Sequence, residues 1–408
     1  MNKLNIQQEV SRMCINIITP VNIGDGTKLT AKDYFYAPKQ QRAYFLDLQK
    51  WHHFIYQHGL LPAYEKYVGD YRDKRNLLTW LEAQKFTLKD VREIIISEAL
   101  AEVNLVDAKK KNTLNDVDKH IQQIDGSLYV PGSSIKGVFR TAILYALLEK
   151  DSTLKNESWQ KVFRDIDDLR KVLAEQRKPK HEQTIPFYKL NKQADGIFNN
   201  ISKFSQGIET KLLHKLIIED KNYSNAVCSS LRGLQVSDTI SSENMQVAIL
   251  QKVDGGFNKF GKASEHSLPI FRECMLPGTK LYFDVKLDKG FMSTLGINSI
   301  DALLLITQKY FDAVLELLKN AFGEQYPEQF AGVGNANIFL GSNTGFLSKT
   351  LLAMLAPNAD QAKDAIKVLL DKSFKKHMGD KIISPRTLKC TKYKGELMLM
   401  GLAEVRKV

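Results

Sequence analysis

Tyr129-Val130-Pro131-Gly132-Ser133-Ser134-Ile135-Lys136-Gly137-Val138-Phe139-Arg140-Thr141-Ala142-Ile143-Leu144 joins an extended end, a tight turn and a basic helix start. Leu128 to Val130 can close a strand, Pro131-Gly132 forces a turn, and Ser133 or Ser134 can cap the helix that follows. Ile135, Val138, Phe139, Ala142, Ile143 and Ala146 recur at helical spacing, so Lys136 and Arg140 share the opposite, wetter side. Free N–H groups at a helix start attract phosphate oxygens, and two cations one turn apart add to that attraction. Ser133, Ser134, Lys136 and Arg140 therefore read as a phosphate cradle. A nucleotide-triphosphate loop is excluded by residue order, because the lysine precedes Gly137 and Val138 follows it.

Other blocks stand out along the chain. Thr19-Pro20-Val21-Asn22-Ile23-Gly24-Asp25-Gly26 follows an opening strand, and Leu234-Gln235-Val236-Ser237-Asp238 and Leu276-Pro277-Gly278-Thr279-Lys280-Leu281-Tyr282-Phe283 look strand-like. Gly341-Ser342-Asn343-Thr344-Gly345-Phe346-Leu347-Ser348-Lys349-Thr350 is a glycine loop with its helix, and Pro385-Arg386-Thr387 lies near the end. Successive N–H groups in the loop Gly341 to Gly345 can form an anion nest, with Ser342, Asn343, Thr344 and Lys349 as side-chain donors.

The ordered set, from residue 19 to about residue 390, resembles the RAMP superfamily of CRISPR-associated RNA-binding proteins. Within it, the set is most similar to the fifth-subunit family of the type III-A CRISPR effector, the Csm complex. The resemblance implies a duplicated ferredoxin-like arrangement. It also implies an RNA-binding subunit that caps the backbone filament, holds the 3′ part of the CRISPR RNA and supports its maturation. Implied partners are CRISPR RNA and the other RAMP backbone and small subunits, with a host nuclease as a further candidate and no membrane. The chain departs from the family at Asn22, where relatives often carry histidine; an amide cannot take a proton at neutral pH.

Composition fits a polyanionic partner. The chain has 408 residues, 43% of them hydrophobic, and its 58 Lys and Arg exceed its 46 Asp and Glu by 12. Residues 372 to 408 hold ten Lys or Arg against three acids, the electrostatic footprint of a nucleic-acid surface. Arg386, Lys389 and Lys392 are the candidate contacts there. The first residues lack a signal-peptide core and no charge-free run of about 18 apolar residues occurs, so a cytoplasmic location is expected. Cys14, Cys228, Cys274 and Cys390 lie far apart without a Cys-x-x-Cys pair and read as small buried hydrophobes rather than zinc ligands or disulfides.

The periodicities predict an α+β fold with a helical insertion between two sheet-bearing halves, and the resemblance implies that each half is a ferredoxin-like unit. The expected divisions are 1–149, a polar helical insertion over 150–230, and 231–408 with the glycine loop and a basic terminal hairpin. Residues 12 to 18 alternate as a half-buried strand that Pro20 stops. Leu88 through Val106 reads as an amphipathic helix, and Lys109 to Asp116 as a linker. Trp159, Val162, Phe163, Ile166, Leu169, Val172 and Leu173 keep helical spacing inside the insertion. Strands are expected over Val236 to Ile240, Gln246 to Val253 and Gly278 to Leu287, and a long helix over Ile300 to Phe322. Thr387 to Lys392 and Leu397 to Val405 read as a hairpin through Lys394-Gly395.

A ribonuclease that makes a cyclic phosphate needs a base, a stabiliser of the phosphorane and a proton donor. None of the eight histidines sits in a glycine-rich turn beside a second catalytic group. His52 and His53 fall in an aromatic segment, and His266, near Lys259 and Lys262, suits phosphate contact better than proton abstraction. Asp25, between two glycines, reads as a turn residue. The alternative, a RAMP endoribonuclease cutting CRISPR RNA or target RNA, would use Asp25 or a histidine. No metal cluster, cofactor motif or Gly-x-Ser-x-Gly elbow appears, so the expectation is a non-catalytic subunit without a cofactor.

Overall fold

The computed structural model describes residues 7–102, 114, 116–216, 225–241, 245–258, 260–374 and 387–408. Its first half contains strands β1 (Gln8–Ile17), β2 (Gly24–Leu29), β3 (Tyr34–Ala37), β4 (Arg42–Leu46), β5 (Ile95–Glu102) and β6 (Val117–His120). Helices α1 (Leu48–Gln57), α2 (Leu61–Gly69) and α3 (Leu77–Ala83) sit between β4 and β5. Then come α4 (Gly132–Lys150), α5 (Ser152–Arg177) and α6 (Phe187–Leu213). The second half begins with β7 (Leu234–Val236), β8 (Ile240–Ser241), β9 (Val247–Phe257), β10 (Ala263–Met275) and β11 (Lys280–Asp288). It continues with α7 (Lys289–Met292), α8 (Ile300–Phe322), α9 (Pro327–Ala331), β12 (Ile338–Phe339), α10 (Leu352–Leu355) and α11 (Ala359–Ser373), and ends with β13 (Leu388–Tyr393), β14 (Glu396–Leu399) and β15 (Leu402–Lys407).

These elements build two sheets. The smaller has six strands in the order β12-β15-β1-β11-β7, with β8 also on β11. Its central strand, β1, buries Met13, Ile15 and Ile17 on one face and Cys14 on the other. The larger has nine strands, β2-β6-β10-β9-β5-β4-β3, with β13 on β9 and β14 on β13. Its pairs are antiparallel except β6 with β10 and β5 with β9. The fold is α+β, as the periodicities predict, and α5 with α6 forms the helical insertion.

One core runs from the small sheet through α4, α5, α8 and α11, with Ile15, Ile135, Phe139, Trp159, Phe283, Phe311 and Leu402 among its members. A second, aromatic cluster under α1 to α3 holds Phe35, Trp51, Trp80 and Leu81. The expected helix at Ile300 to Phe322 is α8, capped by Ser299 Oγ on the Ala302 N–H at 3.1 Å. The stretch Lys289–Phe322 is long and apolar enough to cross a bilayer by composition, and here α8 packs its apolar side into the core.

Three expectations are corrected. Residues 95–102 form a strand, not the end of a helix, because the β-branched run Ile94-Ile95-Ile96 suits a pleated ladder beside β4 and β9. Leu128 to Val130 forms no ladder strand; a single bridge to Gln122 and bonds to Thr239 hold it. The last hairpin is β13 with β14, and the chain then bends at Gly401 (φ 85°) so that β15 joins the other sheet. The linker expected over 109–116 lies outside the described residues, Leu114 and Asp116 excepted.

Candidate nucleic-acid interface

The cradle helix begins at Gly132 with Pro131 in the capping position, so neither Ser133 nor Ser134 caps it. Proline has no side-chain acceptor, and Asp238 Oδ1 takes the Gly132 N–H at 2.7 Å instead. Beside it, the Val130 N–H donates to Thr239 Oγ1 at 2.8 Å and the Thr239 N–H donates to the Val130 carbonyl at 3.0 Å. A Cβ on Gly132 would come within 2.3 Å of the Val236 carbonyl oxygen, so the approach of the two segments requires glycine. The blocks around 132 and 238 are thus one unit, and the Asp238 carboxylate already occupies part of the helix start that the cradle reading left to phosphate.

The cradle side chains differ in state. Ser133 is exposed and Ser134 half-buried. Lys136 is half-buried without an ion pair among the described residues, and burial pulls its ammonium below the usual lysine range. Arg140 is held by Glu209 of α6 in an ion pair, both side chains partly in solvent. Arg140 therefore meets a phosphate either with the guanidinium N–H groups that Glu209 does not hold or by leaving Glu209.

The glycine loop is fastened from inside. Gly341 (φ 84°), Asn343 (φ 60°) and Gly345 (φ 90°) are left-handed, and a Cβ on Gly341 would meet the Asn22 carbonyl oxygen at 2.3 Å. The Ser342 N–H donates to that carbonyl at 2.7 Å, and Ser342 Oγ donates to Asn22 Oδ1 at 2.6 Å. Asn22, almost wholly buried, donates Nδ2 to the Glu273 carbonyl at 2.8 Å. Asn343 Nδ2 meets Met400 Sδ at 3.2 Å, and buried Thr344 accepts from Ser348 Oγ at 2.9 Å. The side-chain donors of Ser342, Asn343 and Thr344 thus face inward rather than toward a nest. Lys349 alone of the four expected donors has no hydrogen bond or ion pair from its ammonium among the described residues; the residue is exposed overall, and partial desolvation by its neighbours, with nearby Arg272, lowers its pKa.

The two motifs are neighbours. Val138 and Thr141 of α4 line a cavity of about 20 Å³ with Ser348, Phe339 and Thr307. The tail divides differently from the expectation. Lys389 stands opposite Asp254 and pairs with it at 3.0 Å, beside Gly345, while Lys392 pairs with Glu265 at 2.6 Å. Residues three apart in a strand face opposite ways, so Lys389 and Lys392 do not share one groove. Arg386 lies outside the described residues.

The catalytic candidates are placed as follows. Asp25, expected in a turn, lies in β2 at the irregularity between Gly24 and Lys28, where its Oδ1 accepts the Thr27 N–H at 2.7 Å beside Gly26 (φ 91°). His52, His53 and His266 are exposed, whereas His120 is fully buried. Among the described residues no group of three His, Cys, Asp or Glu could hold a metal ion. Cys14, Cys274 and Cys390 are buried and free.

Sequence reasoning missed Asn22 as a brace, Asp238 as a cap, and buried Glu273, which accepts from Lys119 Nζ at 2.7 Å and the His120 N–H at 3.1 Å. The Asp238 block and the Asn22 block were both visible as motifs; their pairing with Gly132 and Ser342, far along the chain, was not.

The RAMP superfamily model matches residues 14–372, and the chain belongs to that superfamily. Over 421 residues it is 24% identical to the CRISPR system Cms protein Csm5 of Mycobacterium tuberculosis, covering 98% of each chain. It is 21% identical to the protein of the same name from Enterococcus italicus, covering 93% of this chain and 90% of that one. Its fold is similar to a chain in the cryo-EM structure of a Csm–crRNA–target RNA ternary complex of a type III-A CRISPR-Cas system, with a TM-score of 0.63 at 16% identity over 98% of this chain and 100% of that one. The crystal structure of T. onnurineus Csm5 gives 0.56 at 15% identity over 96% and 99%.

Proposed function

We propose that this chain is a non-catalytic, RNA-binding subunit of a type III-A CRISPR effector complex, working in the cytoplasm. In this reading it caps the backbone filament beside other RAMP and small subunits and holds the 3′ part of the CRISPR RNA, supporting its maturation. The observation that carries the reading is Lys136, a half-buried ammonium without a carboxylate partner among the described residues, at the start of a helix adjoining the glycine-loop segment. A desolvated cation is costly alone and is stabilised by a phosphate oxygen. The full-length likeness to Csm5 proteins supports the choice of RNA.

The test is RNA binding by the Lys136→Ala, Arg140→Ala double variant across a salt series. Affinity is expected to fall by roughly 1 to 3 kcal/mol at low salt, and the slope of log affinity against log salt to flatten by up to about two ions. Unchanged binding by a folded double variant removes the cradle. Cleavage of labelled RNA by the purified chain, abolished by Asp25→Ala, would replace this reading with the endoribonuclease one.

A further inference from the structure

The large sheet carries a second cation cluster on the face turned toward the glycine loop. In β9, Leu250, Lys252 and Asp254 point to one face, since alternate residues of a strand do so. Arg272 of β10 stands opposite Leu250, Lys389 of β13 opposite Asp254, and Asp118 of β6 opposite Arg272, so these side chains share that face. Leu250, Ala248, Cys274, Leu276 and Met400 pack into a small apolar cluster on it.

The charges there do not balance. Lys252 and Lys389 both lean on Asp254, at 3.5 and 3.0 Å. Arg272 Nε lies 3.8 Å from Asp118, a carboxylate that also serves Lys28 at 3.4 Å. Arg272 is only 15% exposed at its side chain, and its Nη1 is buried without a hydrogen-bond partner. Lys349 adds a fourth cation close to Arg272. Four cations, three of them partly buried and Lys349 exposed, thus meet two carboxylates, one of which is shared with Lys28, and one guanidinium nitrogen is left unsatisfied. Leaving a buried charged donor unsatisfied is expensive, and a water or a bound anion is among the things that can complete it.

We infer that Arg272, Lys349, Lys252 and Lys389 form a phosphate site that takes a backbone phosphodiester of single-stranded RNA. A phosphate oxygen would give Arg272 Nη1 its missing acceptor and Lys349 its counter-charge. The site rests on the RNA-binding reading and extends it to residues on β9 and β10. Because the cluster lies beside Gly345 and Lys349 follows in the same segment, the path of the RNA crosses the glycine loop onto the sheet.

The experiment uses the full chain with Arg272→Gln, Lys349→Gln and both together, with a fluorescent single-stranded RNA titrated over a salt series and melting curves in parallel. Lys349→Gln alone tests the site should Arg272→Gln fail to fold. The double variant is expected to bind about tenfold or more weakly, with a salt slope shallower by about 0.7 for each phosphate no longer neutralised. Its melting temperature without RNA should hold or rise, because an uncompensated buried charge has been removed. Equal RNA affinity and slope in variants and wild type overturn the site while the wider reading stands. Wild-type protein that binds no RNA overturns the wider reading itself. A melting-temperature gain with inorganic phosphate, absent in the variants while RNA affinity is unchanged, overturns the RNA assignment in favour of a small anion.

Discussion

Ser342 Oγ donates a 2.6 Å hydrogen bond to Asn22 Oδ1 across 320 positions of sequence. Asn22 also accepts the Ser342 N–H at its carbonyl and donates to the Glu273 carbonyl, so one amide joins the first glycine-containing block, the glycine loop and the centre of the large sheet. Asn22→Ala is expected to destabilise the protein by about 1 to 3 kcal/mol, since buried partners lose their bonds. Ser342→Ala should cost less, and the double variant should fall short of the sum. Urea denaturation of the four proteins measures that coupling; strict additivity would mean the bond contributes nothing of its own.

At the start of α4, Asp238→Ala should remove the cap from Gly132 and lower stability by about 1 kcal/mol. The same change withdraws a carboxylate from the helix start and should tighten RNA binding while the protein becomes less stable. Opposite signs in the melting and binding measurements distinguish this from general damage.

Glu209→Gln frees Arg140 from its ion pair. If Arg140 serves RNA, affinity should rise by up to about fivefold, the scale of a partly exposed ion pair that no longer has to be broken. A decrease in affinity would mean that Glu209 orients Arg140 for binding instead of competing for it.

Lys389 and Lys392 are separated by the strand that carries them. Lys389→Ala is expected to weaken RNA binding, because the side chain lies beside Gly345, whereas Lys392→Ala, directed at Glu265, should leave binding unchanged. Equal losses from both would place RNA on both faces of β13.

His120 gives the fold a pH response. Its Nδ1–H donates to the Ile121 carbonyl at 2.9 Å and its Nε2 is buried without a partner. Burial lowers its pKa from 6.5 to about 4. The unfolded chain therefore takes up a proton first as the pH falls, so stability is complete above about 6.5 and is lost from there down to about 4, by roughly 3 kcal/mol. Melting temperature measured between those values should decline, and His120→Asn, which keeps a donor for Ile121, should decline less.

Local patterns were legible where the physics is local. The helical spacing of Leu303, Tyr310, Val314 and Leu318 placed α8 at its observed ends, and the structure adds the Ser299 cap. The 13-residue strand β10 went unread because Pro269 and the irregularity between Ser267 and Phe271 break its alternation. That loss hid Arg272. The motif segments at 132 and 341 were visible from glycine placement, yet the inward turn of Ser342, Asn343 and Thr344 depends on Asn22, Met400 and Ser348, and Met400 lay in no block that glycine placement marks. The split between Lys389 and Lys392 follows from strand parity once the strand is accepted.

The place of β1 sets the timetable of assembly. This strand precedes all the others in the chain, yet it is flanked by β11 on one side and β15 on the other, the latter contributed by residues 402–407. One of its hydrogen-bonding edges therefore waits for β11 and the other for β15, and the small sheet can close only once residues 402–407 have left the ribosome. Nascent chains stalled before residue 402 should leave Met13 to Ile17 open to protease, whereas chains released beyond residue 407 should protect them.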